Sequence, residues 1–272
     1  MFRKSFYIIL AAGLLFMLSS CKSEFERIRT GNDIELKYQK ALEYFDNEEW
    51  YRSQVLLEQI TGILRGDPRI ERVYFSYAYT HFHLKKYVLA TYYFKNFTTT
   101  FPNSEYTEEA MFMSAFSNYK LSPTYRLDQT YTEKAIDEFQ LFVNSKPTSD
   151  RVERANALID EMRAKLEVKA FEDAQLYFKL QDFLAANHSF QNFVKDFPDA
   201  QKIEEARFMV LKSYYRQAQN TIEIAQLERF EDTVDAYFEF VDRHPNSRYQ
   251  KEAEGIFQAS NERIERLKTD SK

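Results

Sequence analysis

"FPNSEYTEEAMFMSAFSNYK", residues Phe101 to Lys120, returns 96 residues later as "FPDAQKIEEARFMVLKSYYR", Phe197 to Arg216, with nine of twenty positions identical and no gap. A fainter copy, "HPNSRYQKEAEGIF", begins at His244. A phrase that recurs at a fixed place marks a repeat architecture, in which each copy is one supersecondary unit that its neighbours bury. The prolines keep the same rhythm. Asp67-Pro68, Phe101-Pro102, Lys146-Pro147, Phe197-Pro198 and His244-Pro245 stand 34, 45, 51 and 47 residues apart. Proline suits the end of a unit because it cannot continue a helix and holds the preceding residue extended.

The first interval is the period of the tetratricopeptide repeat, a helix–turn–helix unit followed by proline. The apolar spacing inside the units agrees. Tyr74, Tyr77, Ala78 and His81 form one helical stripe, and Tyr87, Ala90, Phe94 and Phe97 a second. Ala170, Ala174 and Tyr177, then Phe183, Ala186, Phe190 and Phe193, occupy the same places in the fourth unit. Ala78 with Ala90, and Ala174 with Ala186, fall where the two helices of a unit cross, and the small side chains allow close approach. The first unit, about 34 to 66, puts Ala41, Ser53 and Leu57 there. An aromatic opens each second helix: Trp50, Tyr87, Phe183 and Phe230. The third and fifth units are stretched by "LSPTYRLDQTYT" (Leu121 to Thr132) and "QAQNTIEIAQLE" (Gln217 to Glu228). Glu108-Glu109 and Glu204-Glu205 open helices, where acids favour the helix dipole, and Phe112-Met113 and Phe208-Met209 are expected to pack backward onto the preceding pair. The expected fold is all-α: an α-solenoid of about five tetratricopeptide-like units with a C-terminal capping helix, from about Arg248 to Lys268.

Composition fits that fold. Five glycines and six prolines in 272 residues are few, and 25 phenylalanines with 19 tyrosines supply a large apolar area. The net charge is −5, and it becomes −7 once residues 1–20, which carry only Arg3 and Lys4, are removed. That sign argues against nucleic acid as a partner and against a broad electrostatic grip on anionic lipid.

The N-terminus is a basic pair, an apolar run from Phe6 to Leu18, and then Leu18-Ser19-Ser20-Cys21. The run is too short for a free-standing membrane helix, which needs roughly 20 residues. It reads as a signal peptide over 1–20. The small residues before Cys21 resemble the lipobox of bacterial lipoproteins, which implies cleavage there and acylation of the thiol and the new amino group. Cys21 is the one cysteine in the chain, so no internal disulfide can form. The expected tie to a membrane is this lipid anchor alone.

Residues that carry chemistry are sparse. His81 and His83 lie two apart on a helix and point to different faces, so they do not share a metal as an i, i+4 pair would. His81 is expected inside the helix pair and His83 partly exposed. No glycine-rich phosphate loop or nucleophile elbow occurs. The sequence points instead to a binding surface on the first helices of the N-terminal units: Tyr38, Leu42 and Phe45; Arg72, Phe75, Tyr79, Phe82 and His83; Phe112, Phe116, Tyr119 and Lys120. Two readings stand at this point. The rings bury one another, or they line a groove for an extended or aromatic-rich peptide whose carboxylate meets Arg72, His83 or Lys120.

The lipobox, the recurring "FPNS" turns and the third-unit stretch "LSPTYRLDQTYTEKAIDEFQLFV" together resemble the BamD family of lipoproteins in the β-barrel assembly machinery of Gram-negative outer membranes, in a form like that of the Bacteroidota. The resemblance spans essentially the whole mature chain. It implies a non-catalytic protein without cofactor, on the periplasmic face of the outer membrane. It also implies three sets of partners: POTRA domains of a barrel-forming BamA-like protein, other lipoproteins of the complex, and segments of unfolded outer-membrane proteins. Residues 21–33 would form the lipidated tether, 34–147 the peptide-receiving units one to three, and 148–268 the docking units four and five with the cap. A tetratricopeptide lipoprotein that organises cell-wall synthesis, division or a secretion apparatus would show the same anchor and repeats.

Overall fold

The computed structural model describes residues 24–270. Cys21 and the signal segment lie outside them. Twelve helices follow one another: α1 (Glu24–Thr30), α2 (Ile34–Asp46), α3 (Trp50–Thr61), α4 (Ile70–His83), α5 (Tyr87–Thr100), α6 (Thr107–Leu121), α7 (Thr130–Ser145), α8 (Val152–Lys179), α9 (Phe183–Asp196), α10 (Ile203–Asn220), α11 (Glu223–Arg243) and α12 (Gln250–Asp270). They form two compact units. Among the described residues, one comprises 24–122 together with Thr130–Ile159, and the other comprises Pro123–Gln129 and 160–270. In each, helices adjacent in sequence pack together, and first helices also touch first helices of the next hairpin, α2 with α4 and α10 with α12. The architecture is the all-α stack of tetratricopeptide-like hairpins that the proline rhythm predicts. Part of the stretch assigned to the tether is helical: Ile28 of α1 is buried, and Phe25 meets Tyr44 edge-on at 5.9 Å.

The small residues do set the crossings. Ala41, Ser53, Ala78, Ala90, Ala174 and Ala186 are all fully buried. In the first hairpin the approach is close enough for Ser53 Oγ to donate to the Ala41 carbonyl oxygen at 2.9 Å. Phe94 and Phe97 on α5 and Phe139 and Phe142 on α7 fill the first unit, and Phe171, Phe190 and Phe193 the second. Complete burial of a ring of that size is worth roughly 2 kcal/mol.

Several placements differ from the sequence reading. Tyr177 is exposed. Its neighbour Phe178 turns inward onto the Phe171–Phe190 core, because one residue along a helix rotates the side chain by roughly 100°. The same rotation splits the Phe-Met pairs. Met209 does pack backward on that core, but Phe208 packs forward, on Phe240 and flat against Tyr249 at 4.5 Å. Phe112 likewise faces forward, onto Phe139 and Phe142. The third-unit stretch is a loop in which buried Gln129 donates from Nε2 to the carbonyls of Thr124 and Leu127, each at 2.9 Å. The fifth-unit stretch is not a loop. Only Thr221 and Ile222 separate α10 from α11, because its Gln, Ala, Glu and Leu residues extend both helices instead.

The repeated phrase also has a structural use beyond the helix dipole. Glu108 accepts from Ser149 Oγ at 2.6 Å, and Glu204 from Ser247 Oγ at 2.5 Å, so each first-turn acid holds the serine of the next unit's turn. The adjacent acid takes a cation from that same turn. Arg151 reaches Glu109 at 2.5 Å, Arg248 reaches Glu205 at 3.7 Å, and in the first hairpin Arg69 reaches Glu35 at 2.5 Å.

Three hairpins turn through a residue in the left-handed region two places before the aromatic: Glu48, Lys85 and Gln181, with φ of 60°, 58° and 62°. Each turn is closed by a hydrogen bond from the next amide back into the helix, as from Lys86 to the His81 carbonyl at 2.9 Å. An L-residue there costs about 1–2 kcal/mol, which glycine avoids at the expense of unfolded-state entropy. Lys85→Gly and Gln181→Gly are each expected to stabilise the fold by about 0.5 kcal/mol, visible as a higher melting temperature. A lower one would contradict this account of the turn.

His81 is buried as expected. Its Nδ1 lies 3.0 Å from Gln54 Nε2, and Lys86 Nζ donates to Gln54 Oε1 at 2.8 Å. Its Nε2 is buried without a hydrogen bond. Burial, helped by the Lys86 charge, pushes the imidazole pKa down to about 4. Between the unfolded value of about 6.5 and that value the unfolded chain binds a proton that the fold excludes. Stability is therefore full above pH 6.5 and falls as acid is added, by up to about 3 kcal/mol on reaching pH 4. Urea titrations should show this slope in the native chain and a shallower one in His81→Gln.

Candidate functional aromatic wall

The proposed binding residues sit on three parallel places in the first unit: Tyr38, Leu42 and Phe45 on α2; Arg72, Phe75, Tyr79, Phe82 and His83 on α4; Phe112, Phe116, Tyr119 and Lys120 on α6. All but one are half-buried or exposed. The exception is Phe112, only 3% exposed, which belongs to the core beneath and is removed from the wall. Arg151 covers its remaining face, 4.6 Å from the ring centre.

The rings form a connected band. Phe45 meets Tyr79 edge-on at 6.3 Å, Tyr79 meets Phe75 at 5.0 Å, and Phe75 stacks on Tyr106 at 4.6 Å. A second branch runs from Phe45 to Trp50 at 5.3 Å, and from Trp50 to His83, stacked at 3.9 Å and within 6° of parallel. Phe82 continues it to Phe116 at 5.7 Å, and Phe116 to Tyr119 at 5.6 Å. Lys120 caps that end, its ammonium 4.9 Å from the Phe116 centre and 5.7 Å from that of Tyr119. At the α2 end Arg69 lies over Tyr38 at 5.2 Å. The rings thus pack on one another and still present edges and faces outward, alongside exposed Arg72, His83 and Lys120. Such a surface holds an aromatic side chain by edge and face contacts and a nearby anion by its cations.

Four members escaped the sequence reading: Trp50, Tyr106, Glu109 and Arg151. Tyr79 donates its hydroxyl to Glu109, which Arg151 also grips. Burial first, and then Glu109, push the Tyr79 pKa upward, so the phenol stays a donor. Helical periodicity reveals the face of one helix. It does not reveal a partner 30 residues away, beyond two turns and the helix between them. The tyrosine–glutamate–arginine chain anchors the middle of the wall to the α6 start and to the turn before α8.

Two histidines two residues apart serve different neighbours, His81 the hairpin interior and His83 the Trp50 face. Among the described residues no group of three or more His, Cys, Asp or Glu side chains could hold a metal, and no helix is long and apolar enough to cross a membrane.

The family model described as "YfiO: Outer membrane lipoprotein" matches residues 32–226 and 174–268. The chain belongs to that family. It is the BamD family, so the resemblance carried by the lipobox and the "FPNS" turns holds over nearly all of the described chain. Membership makes the protein a lipoprotein of outer-membrane type associated with outer-membrane protein assembly, and its repeats those of a scaffold. Among solved structures, a tetratricopeptide repeat protein from Parabacteroides merdae is 11% identical with a TM-score of 0.35, covering 88% of this chain and 78% of its own. The TPR2AB-domain:pHSP90 complex of yeast Sti1 is 12% identical with a TM-score of 0.37, covering 84% and 98%. Similarity at that level carries no argument about function. No curated protein matches the sequence.

Trp50 is the one tryptophan of the chain, so its emission reports on the wall. Burial against its neighbours pushes the His83 pKa below the ordinary histidine value, against a weaker opposing pull from Glu48. Protonated imidazole quenches a stacked indole. Emission is therefore expected to fall on acidification with a midpoint below pH 6.5, and His83→Ala should abolish the titration. Absence of any His83-dependent titration of the emission would mean the stack does not exist in solution.

Proposed function

We propose that the protein is a non-catalytic scaffold of the β-barrel assembly complex, anchored through lipid on Cys21 and facing the periplasm. Residues 34–147, repeats one to three, receive segments of unfolded outer-membrane proteins. Residues 148–268 dock on the POTRA domains of the barrel-forming BamA-like partner. The observation that supports the receiving role is the aromatic wall with Arg72, His83 and Lys120 open beside it. Outer-membrane strands commonly end in an aromatic residue next to the C-terminal carboxylate. A ring laid on Phe82, Phe116 and Tyr119 would put that carboxylate within reach of Lys120 or His83, as a charge-assisted contact.

Removing rings would confuse binding with folding, since Tyr79 and Phe75 also pack on buried Phe94. The cations are the cleaner test. A peptide ending in phenylalanine with a free carboxylate should bind the mature chain and alter Trp50 emission. Arg72→Glu with Lys120→Glu should weaken it at least tenfold with unchanged circular dichroism, and amidation of the peptide should do the same. Equal binding of the free and amidated peptides by both proteins would overturn the reading. Recovery of cell-wall synthases, in place of a barrel protein, in affinity purification from membranes would favour the adaptor reading instead.

A further inference from the structure

The repeat that spells the same phrase twice fills the same place in two ways. In the first unit the space over α6, between α5 and α7, is closed by the chain's own polar groups. Glu138 accepts from Ser114 Oγ at 2.8 Å and from Asn118 Nδ2 at 3.1 Å, with Lys95 Nζ 3.6 Å away. At the 96-residue spacing, Ser114 and Asn118 correspond to Val210 and Tyr214. Counted back from Pro147 and Pro245, Glu138 corresponds to Ala236. Those three replacements remove the carboxylate and its donors. A groove of about 570 Å³ lies there in the second unit, over α10 and between α9 and α11.

Its lining is polarised. Val194, Val210 and Ala236 give an apolar bed. Lys195 stands on the α9 side, and Asp232, Asp235 and Glu239 on the α11 side. Arg207 rises from the floor helix. Its side chain is only 19% exposed, yet its nearest carboxylate, Glu239, is 3.9 Å away, too far for a hydrogen bond. Its guanidinium is ion-paired with Glu239 without a hydrogen bond and faces the groove, so its donors can meet a visiting acceptor. The acidic wall disfavours phosphate or a lipid headgroup. Opposed walls of opposite sign suit a polypeptide that carries both charges.

We propose that this groove is the specific seat of a short partner segment, with an apolar side chain on Val194, Val210 and Ala236, a carboxylate toward Arg207 and Lys195, and a cation toward Asp232 and Asp235. The proposal rests on the docking role given above to residues 148–268. In the first unit the equivalent seat is occupied by Glu138, so docking is confined to one of two otherwise similar places.

The first unit supplies the test, because its closed arrangement can be transplanted. The variant Val210→Ser, Tyr214→Asn, Ala236→Glu should rebuild the Ser114–Asn118–Glu138 network, placing a carboxylate on the groove's apolar bed where the partner's apolar side chain would sit. Binding of the mature full-length chain in detergent to the soluble POTRA domains of the barrel-forming partner is then measured by calorimetry. The triple variant, and separately Arg207→Ala, should each weaken binding at least tenfold, while the aromatic-carboxylate peptide still binds the first unit. If the triple variant fails to fold, Arg207→Ala decides alone. Undiminished binding by the folded variants overturns the groove and leaves the docking role standing. No binding by the native chain overturns both.

Discussion

Everything in this fold hangs on how closely two helices of a hairpin approach. At Ala41 and Ser53 the helices come near enough for a side-chain hydroxyl to reach the opposite backbone. At Ala78 with Ala90, and Ala174 with Ala186, no side chain larger than a methyl stands at the crossing. Widening that approach by even one or two methylenes would cost about 1–3 kcal/mol locally. It would also lift the flanking core side chains out of register, Leu56, Leu57 and Ile60 in the first hairpin and phenylalanines in the later ones. A chain with a single cysteine, outside the described residues, gains nothing from disulfides, so these contacts must carry the stability.

Hairpins alone do not make a stack. The second constraint is between units, and the recurring acidic pair meets it. A first-turn carboxylate already sits favourably on the helix dipole, so its charge is held in place before any partner arrives. The serine and the cation of the next turn then find a preoriented acceptor, as at Glu108 with Ser149 and Glu204 with Ser247. These pairs are partly exposed, so their Coulombic share is modest. Their use is geometric. They fix where the following helix begins, and so which of its faces looks inward. This explains why the phrase persists while the helix interiors between its copies diverge.

That division also explains what was legible beforehand. The proline intervals, the small crossing residues and the aromatics Trp50, Tyr87 and Phe183 that open second helices are local patterns and agree with the structure, whereas Phe230 lies inside α11, which begins at Glu223. Contacts that join separate helices left weaker marks. Phe112 reads as a surface ring because it sits on the same helix as Phe116, yet the four-residue step between them is enough to sink it between Phe139 and Phe142. Glu109 reads as a dipole acid, and its grip on Tyr79 and Arg151 needs two turns to fold first. In the fifth unit the added length goes into the helices themselves, because its residues are good helix formers. In the third unit Pro123 forbids that solution, and a loop results.

The same economy of pattern lets one fold present two unlike surfaces. A hairpin has a first-helix side and a second-helix side, and a repeat can vary one without disturbing the crossing. In the first unit variation falls on the first helices, where aromatic residues replace the ordinary polar ones and, being too many to hide, pack into a band with open edges. In the second unit the first helices carry fewer rings, and variation falls on the other side, where Ala236 stands in place of a glutamate. Neither change touches the buried alanines. Aromatic wall and polarised groove are therefore two departures from one template that both leave its hairpin crossings intact.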